Sequence, residues 1–577
     1  MSETPPTSRH QGVWLLDPKE FEYHASPDTD TAVLDLGKLC TYDDPQETYT
    51  ERHDGALRDG GAVPLTSTEA WAVLSQYAGV GIFLGVFPAM AYPVFQNYLR
   101  MQGYQVQSYQ ALMRLSWCVK IFLGLLSDCI PVRGYRRRPY IMLGWLIASI
   151  ACLIMVFLPF PDPYYGKASL VNKPVANISV DDQRLYMNLS APNSAGIFVM
   201  LSAIATFGSV MVVCASDGLT VEYAQREPAA TRGRFQTMIY VVRDSTKILP
   251  QIGVGLCMNS FQYAGHYDWS ITPNVVYGAL LVPCGICLTT SAFWMVEQKV
   301  RPFTFASYFH SLWQLIQLRV VWQLCMYLLL SQIFLFFEET VTTPIQTLWL
   351  QLDPVFEVVW GPVGILGGCL YSGVMYFRGK WTLEWDWRRT IICSTIALVS
   401  IDAIFKLTSV WAVIRNPYYF VIGKSLLQIP RAIVFLSGAY PLVEIADMGN
   451  EGAVYALAGT CGNLGVPFGT VLYKTVDSFF RVSINDIQVD DTFVRWEVSY
   501  CYLISFGAKL FSLAFLGLFP RQKAHVHLLK RRGESSKVAG AVMVVSFVLL
   551  LIYSIVTNIL PFYKATSCLR IAGGRGC

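Results

Sequence analysis

Thirteen apolar runs, each long enough to cross the roughly 30 Å hydrocarbon layer of a bilayer, constrain this chain more than any other feature. They fall at 73–98, 108–127, 139–160, 195–217, 235–258 and 274–296. After a polar, aromatic break they resume at 321–349, 356–377, 390–412, 418–445, 451–474 and 499–519, with one more at 538–560. In hydrocarbon every backbone amide must be satisfied inside the protein, so such runs predict transmembrane helices. Only 15% of the 577 residues are charged and 53% are apolar, whereas a soluble chain carries about a quarter charged residues. The chain is therefore expected to be an all-α membrane protein with six spans at 73–296, a cytoplasmic linker at 297–320 and six spans at 321–519. A basic segment and an additional transmembrane helix occupy 520–577. Residues 1–72 are polar and acidic, with Asp43, Asp44, Glu47 and Glu51, and read as a disordered cytoplasmic tail. They lack the basic start and apolar stretch of a cleaved signal peptide.

Charge sets the orientation. With the amino terminus in the cytoplasm, the inside loops hold Arg133 to Arg138, then Arg226, Arg232 and Arg234, then Lys299, Arg301 and Arg319. Arg378, Lys380, Arg388 and Arg389 follow, and finally Arg521, Lys523, Lys530, Arg531, Arg532 and Lys537. Every large basic cluster then lies on the cytoplasmic side. The loop after span 3 falls outside and carries two glycosylation sequons, at Asn177 and Asn188. The odd number of spans puts the carboxyl terminus outside as well. Of the 15 cysteines, most sit within apolar runs and are expected to pack as small hydrophobes.

Ionisable side chains at membrane depth cost several kcal/mol unless paired or hydrated, so each is a functional candidate. Lys120, Asp217, Arg243, Glu338, Glu339, Lys424 and Arg431 form the candidate substrate site. Asp217 and Arg243 lie on neighbouring spans and read equally as an ion pair. Asp402 and Lys406, four apart, are expected to neutralise each other. Glu338 and Glu339 sit mid-run and point to different faces, so one partner does not serve both. At least one is expected to have a raised pKa from desolvation, which suits reversible protonation. Thr342 and Gln346 continue the Glu338 face, and Trp117, Tyr240 and Phe334 are candidates to stack on a flat ring.

Two motifs carry a resemblance. The first reads Lys120, then Gly124-Leu125-Leu126-Ser127-Asp128, Pro131 and Gly134-Tyr135-Arg136-Arg137-Arg138-Pro139-Tyr140. An acidic helix end followed by a triple arginine resembles the loop between helices 2 and 3 of major facilitator transporters, and the six-plus-six plan matches their two-half fold. Proton-coupled sucrose and glycoside carriers share part of this loop. The lysine one turn earlier and the Gly-Tyr pair favour the folate-biopterin transporters. The second motif, Asn450-Glu451-Gly452-Ala453-Val454-Tyr455-Ala456-Leu457 with Asn463-Leu464-Gly465, resembles that family's signature between spans 10 and 11, with Ala453 in place of the usual threonine. The span 4 end, Ser216 to Glu222, and Arg243 in span 5 also match. The resemblance covers 73–520. It implies a cytoplasmic gate built from Asp128, Arg136, Arg137, Arg138, Glu222, Glu444 and Glu451, with Lys120 or Arg243 on the carboxylates of folate's glutamate and an acidic side chain on the pterin ring.

The expected function is secondary-active transport of folates or pterins by alternating access, coupled to protons. The alternatives are a carrier of another organic solute such as a sugar, or a non-transporting membrane receptor. No metal-ligand cluster, P-loop or nucleophile motif occurs, so neither an enzyme nor a cofactor is expected. The partners are a small molecule, protons and membrane lipids, with anionic headgroups at His525 to Arg532 and no nucleic acid. Plasma and organelle membranes are both compatible with this sequence.

Overall fold

Helix occupies every apolar run, for the local reasons that start and stop helices elsewhere. The computed structural model describes residues 60–577 except 172, 174–176, 229–233, 298, 300–303, 362–363, 382–384 and 446–450. The first six runs hold α1 (Thr68–Met90), continued by a π-helical stretch Ala91–Tyr98, α2 (Gly103–Cys118), α3 (Lys120–Cys129), α4 (Arg138–Phe157), the short external α5 (Val180–Tyr186), α6 (Gly196–Gln225), α7 (Arg234–Cys257), α8 (Pro273–Ala279) and α9 (Leu281–Phe293). The linker forms α10 (Phe305–Gln317). The next six hold α11 (Arg319–Leu335), α12 (Thr342–Leu348), α13 (Pro354–Trp360), α14 (Ile365–Trp381), α15 (Trp387–Val410), α16 (Pro417–Leu426), α17 (Gln428–Ile445), α18 (Glu451–Asp477), the short α19 (Ile484–Val489) and α20 (Thr492–Phe511). Two more follow, α21 (Lys523–Arg532) and α22 (Lys537–Ile559).

Capping explains the starts. The Ser67 hydroxyl accepts from the Ala70 amide at 3.1 Å, and the Asp386 carboxylate accepts from Arg389 at 2.9 Å, each satisfying an otherwise free first-turn donor. Among the described residues, nine helical stretches are long and apolar enough to cross a membrane, and Arg319–Leu335 and Ile365–Phe377 are shorter apolar helices. The charge-bearing α7 and α18 run for 24 and 27 residues.

The run 321–349, expected to be one span, is broken. Helix α11 ends at Leu335 and α12 begins at Thr342, so Glu338 and Glu339 lie in an irregular joint rather than mid-helix. Neighbours satisfy its backbone, as membrane depth demands. Asp477 accepts from the Thr340 amide at 2.7 Å, and the Ser505 hydroxyl donates to the Phe337 carbonyl at 2.7 Å.

Packing of helix on helix uses small residues where backbones must approach. A Cβ added at Gly144 would lie 2.6 Å from the Gly208 carbonyl oxygen, and one at Gly208 would lie 2.5 Å from that of Gly144, which binds α4 to α6. Between the two sets of helices, α2 packs along α18, and α22 lies against both. Helix α22 buries Gly540, Met543, Phe547, Ser554, Thr557 and Asn558 and exposes Val538, Val542, Val545, Leu549, Ile552 and Val556. That second set recurs at helical spacing and forms a lipid-facing stripe. At the seam the fully buried Lys474 ammonium donates to Ser108 of α2 at 3.1 Å and to the Thr557 carbonyl of α22 at 2.7 Å.

One end of the molecule is sealed. The Tyr92 hydroxyl donates to the Leu352 carbonyl at 2.6 Å, Thr347 donates to Asn97 at 2.9 Å, and Arg100 donates to Gln488 at 2.9 Å. Gly103 sits so close to the Thr340 carbonyl that any side chain there would clash. The chain terminus covers this end. It is closed by a Cys568–Cys577 disulfide, it ion-pairs Arg575 with Asp486, and Gln105 donates to the Pro561 carbonyl at 3.0 Å. Cys568 and Cys577 lie beyond the apolar runs, so the disulfide leaves the expectation for the cysteines within those runs untouched.

Candidate functional site

Where α1, α2 and α7 face the joint 336–341, α16, α17 and α18, a central cavity of about 260 Å³ opens, just below the ~300–1,000 Å³ usual for small-molecule sites. Helix α2 contributes Gln107, Gln110 and Arg114, and the joint contributes Phe336, Glu338 and Glu339. Tyr92, Gln346, Glu357, Lys424, Arg431 and Tyr473 complete the wall. Four of the seven residues expected to bind substrate, Glu338, Glu339, Lys424 and Arg431, thus share one cavity.

Their charges are tied into a network. Arg431 donates to Glu338 at 2.7 Å, and the Lys509 ammonium lies 3.8 Å from the other Glu338 oxygen. Lys509 also donates to Asp402 at 2.9 Å, and so does Lys406. Lys406 reaches on to Oε1 of Glu339, which accepts from Thr342 as well. Asp402 and Lys406 are therefore not a closed pair but the middle of a chain from Glu338 to Glu339. The two adjacent glutamates each have their own cation, so no single partner serves both. Oε2 of Glu339 is buried and makes no hydrogen bond.

The other three predicted residues lie away from the cavity wall. Lys120, at the kink between α2 and α3, donates to Asp217, which also accepts from the Tyr77 hydroxyl. Asp217 thus pairs with Lys120 and not with Arg243. Arg243 bonds its neighbour Asp244 at 3.3 Å and lies over the Tyr240 ring, while Lys247 sits 3.3 Å from the same Asp244. Phe334 packs on Phe511 and Phe515. Phe336, Tyr92 and Tyr473 supply the aromatic wall instead of Trp117, Tyr240 and Phe334.

In the predicted gate, the arginine turn is held by a residue that sequence reasoning missed. Glu297 accepts from the backbone amides of Arg136, Arg137 and Arg138 at 2.7, 2.8 and 2.9 Å. Arg137 donates to Ser127 at 2.9 Å and its guanidinium lies against Gly218, where a Cβ would meet it. Arg138 donates to the Ala292 carbonyl. Glu222 lies on α6, and its neighbour Arg226 bonds Glu69 at 3.1 Å. Glu444 lies 3.0 Å from His527 of α21. The side chains of Asp128 and Glu451, Asp447 and the tail 1–59 lie outside the described residues.

Two cations, Arg114 on the cavity wall and Lys509 buried behind Glu338, were also missed. Lys509 and Arg114 fall inside predicted spans, and the rule that singles out ionisable residues at membrane depth applies to both.

Comparison with known proteins gives consistent results. The model of the BT1 family matches residues 81–538. A folate-biopterin transporter of Synechocystis sp. is 22% identical over 474 residues, covering 79% of this chain and 82% of that protein. A protein named probable folate-biopterin transporter 6, of Arabidopsis thaliana, is 26% identical over 161 residues, covering 26% of this chain and 31% of its own length. Among solved structures, a D-xylose-proton symporter superposes with a TM-score of 0.53 at 14% identity, over 79% of this chain and 97% of that one. An inward-open xylose transporter from E. coli gives 0.50 at 13% identity, over 81% and 100%. At these identities the structural likeness concerns the fold, which is that of the major facilitator transporters.

Proposed function

This chain belongs to the BT1 family and is a multi-pass membrane transporter, and we propose that it carries folates or pterins by proton-coupled alternating access. The observation that carries this reading is the network of alternating carboxylates and cations that opens onto a cavity between the two halves. The names of the relatives support the substrate class. A pterin's ring N–H groups suit the Glu338 and Glu357 carboxylates, and Phe336 and Tyr92 offer faces for the flat ring.

Proton coupling needs a group that gains a proton without losing an existing bond. Glu339 meets this need, because Oε2 has no hydrogen bond to give up while Oε1 holds Lys406 and Thr342. A proton on Oε2 removes one negative charge, so Oε1 still accepts from Lys406 and Thr342 but no longer as half of an ion pair. That weakens the tie between the joint 336–341 and α15, and release of the proton restores it. Such a two-state element is what alternating access requires.

With the amino terminus in the cytoplasm, the orientation that the basic loops favour, the sealed end faces outward and the conformation is inward-facing. Two features support this orientation. The Cys568–Cys577 disulfide belongs to an oxidising side. Its segment meets the loop that bears Asn177 and Asn188 at one residue, Gln105, which donates to Pro561 at 3.0 Å and Asn193 at 3.1 Å. Asn177 is exposed, and both asparagines are proposed glycan sites, which an endoglycosidase gel shift in N177Q and N188Q would read.

The test is accumulation of labelled folate or biopterin by proteoliposomes under an imposed proton gradient. E339Q is expected to lose gradient-driven accumulation and keep exchange at equal pH. Failure of the wild type to accumulate either solute under any gradient would overturn the reading.

A further inference from the structure

Four carboxylates in and behind the cavity wall each face a cation. Glu338 has Arg431 at 2.7 Å, Glu339 has Lys406, Asp402 has Lys509 at 2.9 Å, and Glu357 has Lys424 at 3.9 Å. Arg114 is left over. Among the described residues its guanidinium makes no hydrogen bond and no ion pair, yet it lines the cavity from α2, with its charge 6.0 Å above the Phe336 ring. A lone arginine at membrane depth is costly. The cavity therefore presents a fixed positive charge whose five donors have no hydrogen-bond partner among the described residues. The guanidinium fork matches a carboxylate in bidentate fashion, and a ring attached near that carboxylate would lie beside Phe336.

We propose that Arg114 is the specificity-determining residue for cargo charge: it takes a carboxylate of the cargo, so the transporter selects glutamate-bearing folates over neutral, unconjugated pterins. This rests on the reading of the cavity as the folate or pterin site, and it moves the anionic subsite from Lys120 and Arg243, both of which already have partners, to Arg114. Lys424, held only loosely by Glu357, stands ready as the second cation for a dianion.

The experiment uses purified full-length protein and p-aminobenzoyl-glutamate, which has the ring and both carboxylates but no pterin, against its uncharged dimethyl ester. Thermal stabilisation as a function of concentration is read for each. The wild type is expected to be half-saturated by the dianion at a concentration at least about tenfold lower than by the ester, the discrimination that a charged hydrogen bond provides. R114Q is expected to lose the difference, and R114K to recover part of it. Equal stabilisation of the wild type by dianion and ester, or by neither, would overturn the proposal, and this arm holds even if R114Q fails to fold. A folded R114Q that still discriminates would overturn it too. Failure of the folate reading is separable: discrimination in binding without accumulation of labelled folate would remove folate as cargo and leave Arg114 as an anion subsite.

Discussion

Arg431 of α17 and Glu338 of the joint 336–341 meet at 2.7 Å on the wall of the central cavity. The pair ties the broken helix to its neighbour across 93 positions of sequence. Both residues were legible as membrane-depth charges. Their bond to each other was not, because it depends on how two distant spans pack.

Removing one partner of such a pair leaves the other charge uncompensated, at a cost of about 3–5 kcal/mol when buried and less here, where each side chain is about a quarter exposed. E338Q is therefore expected to lower uptake at every external pH, whereas E339Q removes only its dependence on pH. Initial-rate uptake by the two variants against pH separates these roles. Identical profiles would contradict them.

Lys120 and Asp217 make a second pair, in the other half. K120M is expected to destabilise the protein by about 1–3 kcal/mol, since the carboxylate stays behind in a partly exposed site. The double variant K120M/D217N is expected to regain most of that loss. Thermal midpoints of the three proteins in detergent test this, and a double variant no better than K120M would argue that the two residues act separately.

Lys474 holds the seam. Its ammonium donates to Ser108, the Thr557 carbonyl and Asn558, and K474M would orphan all three acceptors. At about 1–3 kcal/mol for a buried polar group left unmet, a visible drop in thermal midpoint is expected. Limited proteolysis in the segment 520–536 should then release α22 from the variant and not from the wild type.

Outside the membrane, Asp490 accepts from Arg415 and Arg495. Burial opposes its ionisation, but those two guanidinium groups outweigh burial and hold the carboxyl below its ordinary value. A lowered folded-state pKa means that the stabilisation is complete above the unfolded value of about 3.9 and is lost as pH falls through the folded value. D490N is thus expected to be less stable than the wild type at neutral pH, and the gap should close in strong acid. A gap independent of pH would show that the contribution is packing rather than charge.

How much of this was written in the sequence varies with the range of the interaction. Hydropathy is local, so the helices could be placed to within a few residues. The break after Leu335 was hidden, because Phe336 and Phe337 keep the run apolar while the helix is ended by tertiary bonds to Asp477 and Ser505. Arg114 and Lys509 obeyed the same rule as Lys120 and Arg431 and were readable. Glu297 was not, since its role is to meet three amides more than 150 positions away. The partition of charges into matched pairs, which isolates Arg114, exists only in three dimensions.

The most direct measurement is saturable uptake of radiolabelled folic acid into cells expressing the wild type or E339Q, at acidic and neutral external pH. The account predicts uptake that rises at acid pH in the wild type, and a rise that disappears in E339Q while the protein remains in the membrane. Uptake absent in the wild type despite surface expression, or equally acid-stimulated in E339Q, would contradict it.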